Sequence, residues 1–351
     1  MTPILLLPII AFFVSLLFQF ILIKYFNKKA ICIDCAEADK PQRFHQVSTP
    51  RAGGLGIFIA FAVGVLFSSF NSSLTFTRLL LATHSVSLIL ASFPAFFAGF
   101  YEDMNTNINP RLRIFIISIG AVSAIVLMNS IIYDIGFFGL PIWLAVPFTI
   151  FAVSGVTNAI NIIDGFNGLA SGVSMIAFLS FASAAYIYGD GLVLSVSVIL
   201  IAAIAGFFLL NFPRGKIFLG DGGAYFIGFM LAEMSILLVN RNPEISPWFP
   251  VAVLAYPIFE TFFSIYRRKF ARGLPAFSAD AIHLHTLIFR RITRSNPKTS
   301  VYVWVLVVSL NLIAFPFRSN TPILVLICIL FSIFYMFIYR RIVKFKIQGR
   351  G

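Results

Sequence analysis

Residues 191–239 read GLVLSVSVILIAAIAGFFLLNFPRGKIFLGDGGAYFIGFMLAEMSILLV, and the order of chemistry within them decides the architecture. An apolar run, Gly191 to Leu210, gives way to a short loop with Arg214 and Lys216. Asp221 follows between glycines, and a second apolar run covers 223–239. About 20 such residues in a helix match the thickness of a bilayer. Lipid offers the backbone no hydrogen bonds, so a spanning segment of this kind must satisfy its own as a helix. The stretch reads as two membrane helices joined by a polar turn.

Working outward, comparable runs recur at about 4–26, 52–70, 79–100, 114–130, 141–157, 169–188, 249–266, 300–317 and 322–339, which predicts eleven membrane helices in all. The pair meeting at Gly189 and Asp190 has almost no loop, so ten is the other reading. Composition agrees, with 59% hydrophobic and 11% charged residues and 42 Phe in 351 positions, against roughly half apolar and a quarter charged in soluble domains. The expected fold class is an all-α polytopic membrane protein, a single membrane domain over 1–351 with no soluble domain, low-complexity tract or repeat.

Charge sets the direction of insertion. Alternate loops carry 23 Lys and Arg on one side and three, Arg78, Arg241 and Arg318, on the other. By the positive-inside rule the rich side is cytoplasmic, the N-terminus periplasmic and the C-terminus cytoplasmic. Topogenesis and anionic lipid headgroups account for the net charge of +13, so no nucleic-acid partner is implied. The first apolar run is too long for a signal peptide, lacks a basic n-region and a cleavage site, and is expected to remain a membrane helix. Three cysteines exclude a disulfide scaffold. Cys32 and Cys35 form a CxxC without two further ligands at a zinc spacing, and read as incidental thiols.

Of 13 acidic residues, eight fall on the cytoplasmic side, as do His45, His283 and His285 but not His84. Such one-sided clustering suits a phosphate-and-metal site. Phe44 to Phe58, FHQVSTPRAGGLGIF, sets Ser48, Thr49 and Arg51 before a Gly-Gly pair that opens a helix. The amides and dipole there suit an anion, although a small-residue packing face explains the glycines equally well. Glu102 and Asp103 end an apolar helix, repelling one another and poorly placed for its dipole, with Arg111 and Arg113 following. A divalent cation or a proton-transfer task accounts for the pair; a solvated helix end is the plain alternative.

NAINIIDGFNGLASG, Asn158 to Gly172, is the least ordinary stretch. Asn158, Asn161, Asp164 and Asn167 recur every three residues as a drifting polar stripe, with DG and NG turns at a helix boundary. Their oxygens serve a hard cation or the hydrogen bonds of uracil and ribose. Asp221, in FLGDGG, is either a cap for the following helix or a metal ligand with room for phosphate oxygens. In the last long loop, YRRKFARG (266–273) and DAIHLH (280–285) bring Arg267 and Arg268 together with His283 and His285, with Arg290 and Arg291 beyond. A positive-inside loop explains the arginines but not the histidines, and pyrophosphate binding explains both. Glu233 and Glu260 lie within expected spans, where a central charge costs about 2.5–3.5 kcal/mol. Each should face protein or be protonated. Arg267 is the expected partner of Glu260; none is assigned to Glu233.

Taken in order, PRAGG, the acidic pair, NAINIIDGFNG, FLGDGG and DAIHLH resemble the motifs of the polyprenyl-phosphate N-acetylhexosamine-1-phosphate transferases of glycosyltransferase family 4. The resemblance spans about 44–291. It implies attack by undecaprenyl (polyprenyl) phosphate on a UDP-N-acetylamino sugar, giving a polyprenyl-diphosphate sugar and UMP, with Mg²⁺ as cofactor and Mn²⁺ as a substitute. Carried over by motif, Asp221 looks like the metal ligand with Asn161 assisting. Glu102 and Asp103 match the acidic pair that binds or deprotonates the lipid phosphate. That pair is usually Asp-Asp, which favours Asp103. His283 and His285 match the catalytic histidine motif, though Thr286 stands where a further His often occurs. Asp164 and Asn167 match the nucleotide-binding stretch, Asn167 replacing a common Asp. Arg51, Asn158, Arg267 and Arg268 complete the expected substrate contacts.

IYRRKFARG and HLHTLIFRR look more like the enzymes that initiate O-antigen or capsule than like the peptidoglycan enzyme of the family, and the resemblance implies a multi-pass protein of the bacterial inner membrane and allows a homodimer. A transporter of a phosphorylated or anionic solute is the competing class. It predicts polar groups near the bilayer midplane, where only Glu233, Glu260 and His84 fit. A lipid-phosphate phosphatase is a third reading, distinguished by needing no UDP-sugar.

Overall fold

A computed structural model describes residues 2–29, 33–34, 49–71, 75–104, 109–271, 273 and 282–344. Ser48, His45, Asp280, Cys32 and Cys35 lie outside the described residues. The chain runs α1 (Thr2–Lys29), a two-residue antiparallel ladder of β1 (Ile33–Asp34) with β2 (Thr49–Pro50), then α2 (Gly53–Asn71), α3 (Thr75–Met104), α4 (Pro110–Met128) and α5 (Ile142–Ile163). It continues through α6 (Leu169–Tyr188), α7 (Gly191–Asn211), α8 (Gly220–Arg241), α9 (Trp248–Val253), α10 (Ala255–Tyr266), α11 (Leu284–Ile288), α12 (Asn296–Ala314) and α13 (Thr321–Lys344). Among the described residues the architecture is all-α apart from that ladder and an isolated bridge between Asp134 and Gly139. Among the described residues eight helices are long and apolar enough to cross a membrane: α1, α4, α5, α6, α7, α8, α12 and α13. Their outer faces suit lipid, with Val126 75% and Leu312 69% exposed, a degree of apolar exposure that water would penalise.

At Gly189 and Asp190 the structure has two helices, not one. Gly189 takes a left-handed conformation (φ 73°) that ends α6, and Asp190 caps α7 by accepting from the Leu192 and Val193 amides. The same carboxylate accepts both oxygens' worth of bonds from Arg241 Nε at 3.1 and 2.9 Å, tying α7 to the end of α8.

The span expected at 249–266 is broken. α9 has six residues and α10 twelve, with Leu254 between them at φ −97°, ψ 14°. The cause is Pro257, whose missing N–H cannot bond the carbonyl four residues back and whose ring crowds it. That carbonyl, Val253 O, accepts instead from Asn311 Nδ2 on α12 at 3.3 Å.

α8 is the buried axis, packed against α2, α3, α5, α6 and α7, with the side chains from Tyr225 to Met234 all buried. At Gly99 a side chain would collide with the Asp221 backbone, so the glycine is what lets α3 run against the start of α8. Glu233 lies deep on α8, where its Oε2 accepts from Ser130 Oγ at 2.6 Å.

Candidate active site

Asp221 sits in the first turn of α8. Its Oδ1 accepts from Asn161 Nδ2 at 2.7 Å, and its Oδ2 lies 3.4 Å from Arg51 Nη2. Arg51 also reaches Asp103, with Nε 3.5 Å from Oδ1. Both Asp103 oxygens are engaged by backbone, Oδ1 by the Asp221 N–H at 2.9 Å and Oδ2 by the Gly222 N–H at 3.0 Å. Gly220, at φ +76°, makes that approach possible, since a Cβ there would stand 2.5 Å from Asp103 Oδ2. Asp103 therefore acts first as a cap for α8, with its side chain 1% exposed against 19% for Glu102.

Glu102 faces the other way. It accepts from Arg113 Nη1 at 3.3 Å and Tyr225 Oη at 3.2 Å. Arg113 lies over the Tyr225 ring and reaches Asn158 Oδ1 at 3.4 Å. Thus α3, α4, α5 and α8 each place a polar side chain at one point. The charges there strain one another. Burial and then Asp221 raise the Asp103 carboxyl well above the usual range against Arg51 and the two amides. The same two causes raise Glu102, against Arg113 and Tyr225. Asp164, which ends α5, is raised to about 7 by burial and Asp221, with Arg51 opposing.

An excess of carboxylate around Asp221 is what a divalent cation relieves. Among the described residues no three His, Cys, Asp or Glu side chains converge as a ready metal cage. Mg²⁺ does not require one, since it uses one or two carboxylates with water and substrate phosphates. The hard-oxygen set of Asp221 with Asn161 fits it.

Asn167 is turned to structural work: its Nδ2 donates to Pro213 O at 3.0 Å, and its backbone N–H donates to Asn296 Oδ1 at 2.8 Å. Asn211 holds the same turn, accepting from the Gly168 N–H at 2.6 Å and donating to Ile217 O at 2.8 Å. The α2 amides expected to suit an anion are also used, Gly53 N–H by Phe218 O and Gly54 N–H by Leu219 O. The Gly-Gly pair is a packing device here.

The histidines form a second cluster. His283 Nδ1 is 2.9 Å from Glu260 Oε1, and its ring stacks on His285 at 5.2 Å. His285 Nδ1 meets Tyr256 Oη at 3.0 Å. A Cβ on Gly165 would lie 3.7 Å from His285 Nε2, and Phe166 packs edge-on to that ring. The pair thus abuts the Asp164 turn. Burial, with His283 and Arg267 adding to it, lowers His285 to about 3 and keeps it neutral. Glu260 pairs with His283 rather than with Arg267 as expected. Arg267 lies between the Phe263 and Tyr339 rings and donates to Tyr339 Oη at 3.0 Å, and Arg268 Nε donates to Ser264 O at 3.2 Å.

Among the residues of these networks that escaped the sequence reading are Tyr225, Tyr256, Tyr339 and Asn211. Tyr225 had a signal, standing one helical turn beyond Asp221 on the same face. Tyr256 and Tyr339 sit inside apolar runs, and Asn211 directly follows one.

Residues 85–239 match the family model for glycosyl transferase family 4. The chain is 32% identical over 286 residues to a probable undecaprenyl-phosphate N-acetylglucosaminyl 1-phosphate transferase of Bacillus subtilis (strain 168), covering 79% of this chain and 76% of that one. It is 28% identical over 304 residues to a phospho-N-acetylmuramoyl-pentapeptide-transferase of Streptococcus uberis, covering 80% and 88%. An undecaprenyl-phosphate alpha-N-acetylglucosaminyl 1-phosphate transferase of Yersinia pestis is 27% identical over 286 residues, with 78% and 75% covered.

Proposed function

Because the chain belongs to glycosyl transferase family 4, we propose that it transfers the N-acetylamino-sugar 1-phosphate of a UDP-sugar to undecaprenyl phosphate, releasing UMP. The product, a polyprenyl-diphosphate sugar, initiates a cell-surface polysaccharide, O-antigen or capsule, at the bacterial inner membrane. The observation that carries this reading is the convergence of Asp103, Glu102, Asp164 and Asp221 with Arg51 and Asn161 at one end of an apolar bundle. A UDP-GlcNAc donor is favoured, in keeping with the two GlcNAc-1-phosphate transferases among the relatives.

A lipid phosphate oxygen attacks the sugar-bearing phosphorus, and the bond to the UMP phosphate oxygen breaks. Asp221 and Asn161 would hold Mg²⁺, which when bound offsets charge on the diphosphate. Arg51, spanning Asp103 and Asp221, supplies a guanidinium to a phosphate oxygen. Glu102, the more open of the acidic pair, positions or deprotonates the attacking oxygen. Asp103 holds the α8 turn that aims Asp221. Asp164 and Asn158 line the nucleotide side, and the bilayer delivers the lipid laterally to a site facing the cytoplasm.

The test is transfer from radiolabelled UDP-GlcNAc to undecaprenyl phosphate in detergent-solubilised protein, with and without Mg²⁺, beside Asp221→Ala. Labelled lipid and UMP that need the metal and vanish in the variant are expected. Product from a different UDP-amino sugar would change the donor alone. No product across a donor panel, in folded protein, would favour transport instead.

A further inference from the structure

Glu260 is a fully buried acid on α10 with three partners, none of them a cation from the arginine pair beside it. His283 Nδ1 meets Oε1 at 2.9 Å, while the Leu284 N–H at 3.2 Å and the Tyr335 hydroxyl of α13 both donate to Oε2. A carboxylate only accepts. The proton between Glu260 and His283 therefore sits on Nδ1, and Nε2 becomes the ring nitrogen left to meet a substrate. That Nε2 has no hydrogen-bond partner among the described residues. His285, stacked on the same ring, is held by Tyr256 and borders the Asp164 turn through Gly165, so the stack leads from Glu260 to the carboxylate cluster. Tyr339, one turn beyond Tyr335 on α13, donates to Ile282 O at 3.2 Å and fixes the backbone just before His283.

We infer that Glu260 and Tyr335 are positioning residues for the reaction proposed above, on which this inference rests. Together they fix the tautomer and the ring plane of His283, presenting the Nε2 lone pair as an acceptor to a hydroxyl of the sugar nucleotide. The last helix, α13, outside the residues matched by the family model, is by this argument part of the catalytic apparatus and not only a membrane anchor.

The experiment is a double-variant cycle on purified full-length protein, reading kcat and KM for UDP-sugar transfer. Wild-type transfer is measured first. Its absence across the donor panel overturns the parent reading and this one with it. With activity in hand, Glu260→Gln, which keeps the side-chain shape, is expected to lower kcat about 10- to 100-fold, the range seen when a carboxylate that orients a histidine is removed. Tyr335→Phe, which removes one hydroxyl, is expected to give a smaller loss of the same kind. Neither substitution should slow His283→Ala any further, because there is then no ring to position. Losses that multiply in the double variants would show separate roles and overturn the inference, as would Glu260→Gln or Tyr335→Phe at the wild-type rate. Tyr335→Phe decides the matter alone if Glu260→Gln fails to fold.

Discussion

The carboxylate of Asp103 closes the open end of the helix that carries Asp221 in its first turn, accepting the Asp221 and Gly222 N–H groups at 2.9 and 3.0 Å. The first amides of a helix have no partner within it, and in a buried site each one left bare costs about 1–3 kcal/mol. Asp103→Ala should therefore lower stability by about 2–5 kcal/mol, seen as a lower unfolding temperature in detergent. Loss of transfer would follow from the displaced Asp221. A variant that keeps the wild-type unfolding temperature yet transfers nothing would place Asp103 in the chemistry itself.

Glu102 makes a contrasting case, because its partners are side chains and it is more open to solvent. Glu102→Gln preserves its length and an acceptor for Tyr225, and removes only the charge. If Glu102 handles the proton or the charge of the lipid phosphate, kcat should fall by about 10²–10⁴-fold with little change in unfolding temperature. Glu102→Asp is one methylene shorter, which draws the carboxylate back from both Arg113 and Tyr225. A glutamine variant at wild-type rate would remove Glu102 from the mechanism.

The bundle and the site were legible in the sequence to different depths, for physical reasons. Apolar runs and the motif order gave the helical architecture and grouped Asp221, Asn161, Asp103, Glu102 and Arg51, since each motif ends or begins an apolar helix. The division of labour within the acidic pair was not legible. Asp103 and Glu102 are neighbours, about 100° apart around a helix, and only the packing of α3 on α8 decides which meets amides and which meets Arg113. The same holds for Glu260. Arg267 stands seven residues on, within reach by sequence spacing, but His283 arrives from a loop whose path spacing cannot show. Reading 249–266 as one span took no account of Pro257, and the compensating Asn311 lies on another helix.

His285 makes stability depend on pH. Its ordinary value is 6.5 and the fold lowers it to about 3, burial being the main cause, with His283 and Arg267 opposing its charge and Glu260 favouring it. Between those values the unfolded chain binds a proton that the folded chain refuses. Its contribution is complete above pH 6.5 and is lost as pH falls toward 3, at up to about 1.4 kcal/mol per unit. Asp103, Glu102 and Asp164, raised by the fold, work in the opposite direction, so the comparison must be with a variant. The unfolding temperature of His285→Gln should drop less than that of wild type between pH 7 and pH 5. Equal drops would mean that His285 takes up a proton in the folded protein.

Asn311 offers a test of the broken helix. Pro257 leaves Val253 O without its intrahelical donor, and Asn311 Nδ2 supplies one at 3.3 Å while also donating to Val307 O at 2.9 Å. Its Oδ1 accepts from Ser180 Oγ at 2.7 Å, so one side chain links α6, α9 and α12. Asn311→Leu is close in volume and strips all three bonds, so the buried Val253 carbonyl and Ser180 hydroxyl lose a partner. A cost of about 1–3 kcal/mol is expected for such a change, measured as a fall in unfolding temperature. Pro257→Ala should recover part of it, because an alanine amide at 257 can bond Val253 O within a continuous helix. The recovery should appear only in the Asn311→Leu background. In the parent protein the carbonyl already has a donor, and a straightened helix would move Glu260 and Tyr256 away from the histidines. Transfer activity of Pro257→Ala should accordingly fall even where its stability does not. If Pro257→Ala instead helps both backgrounds equally, the break owes nothing to the bond from Asn311.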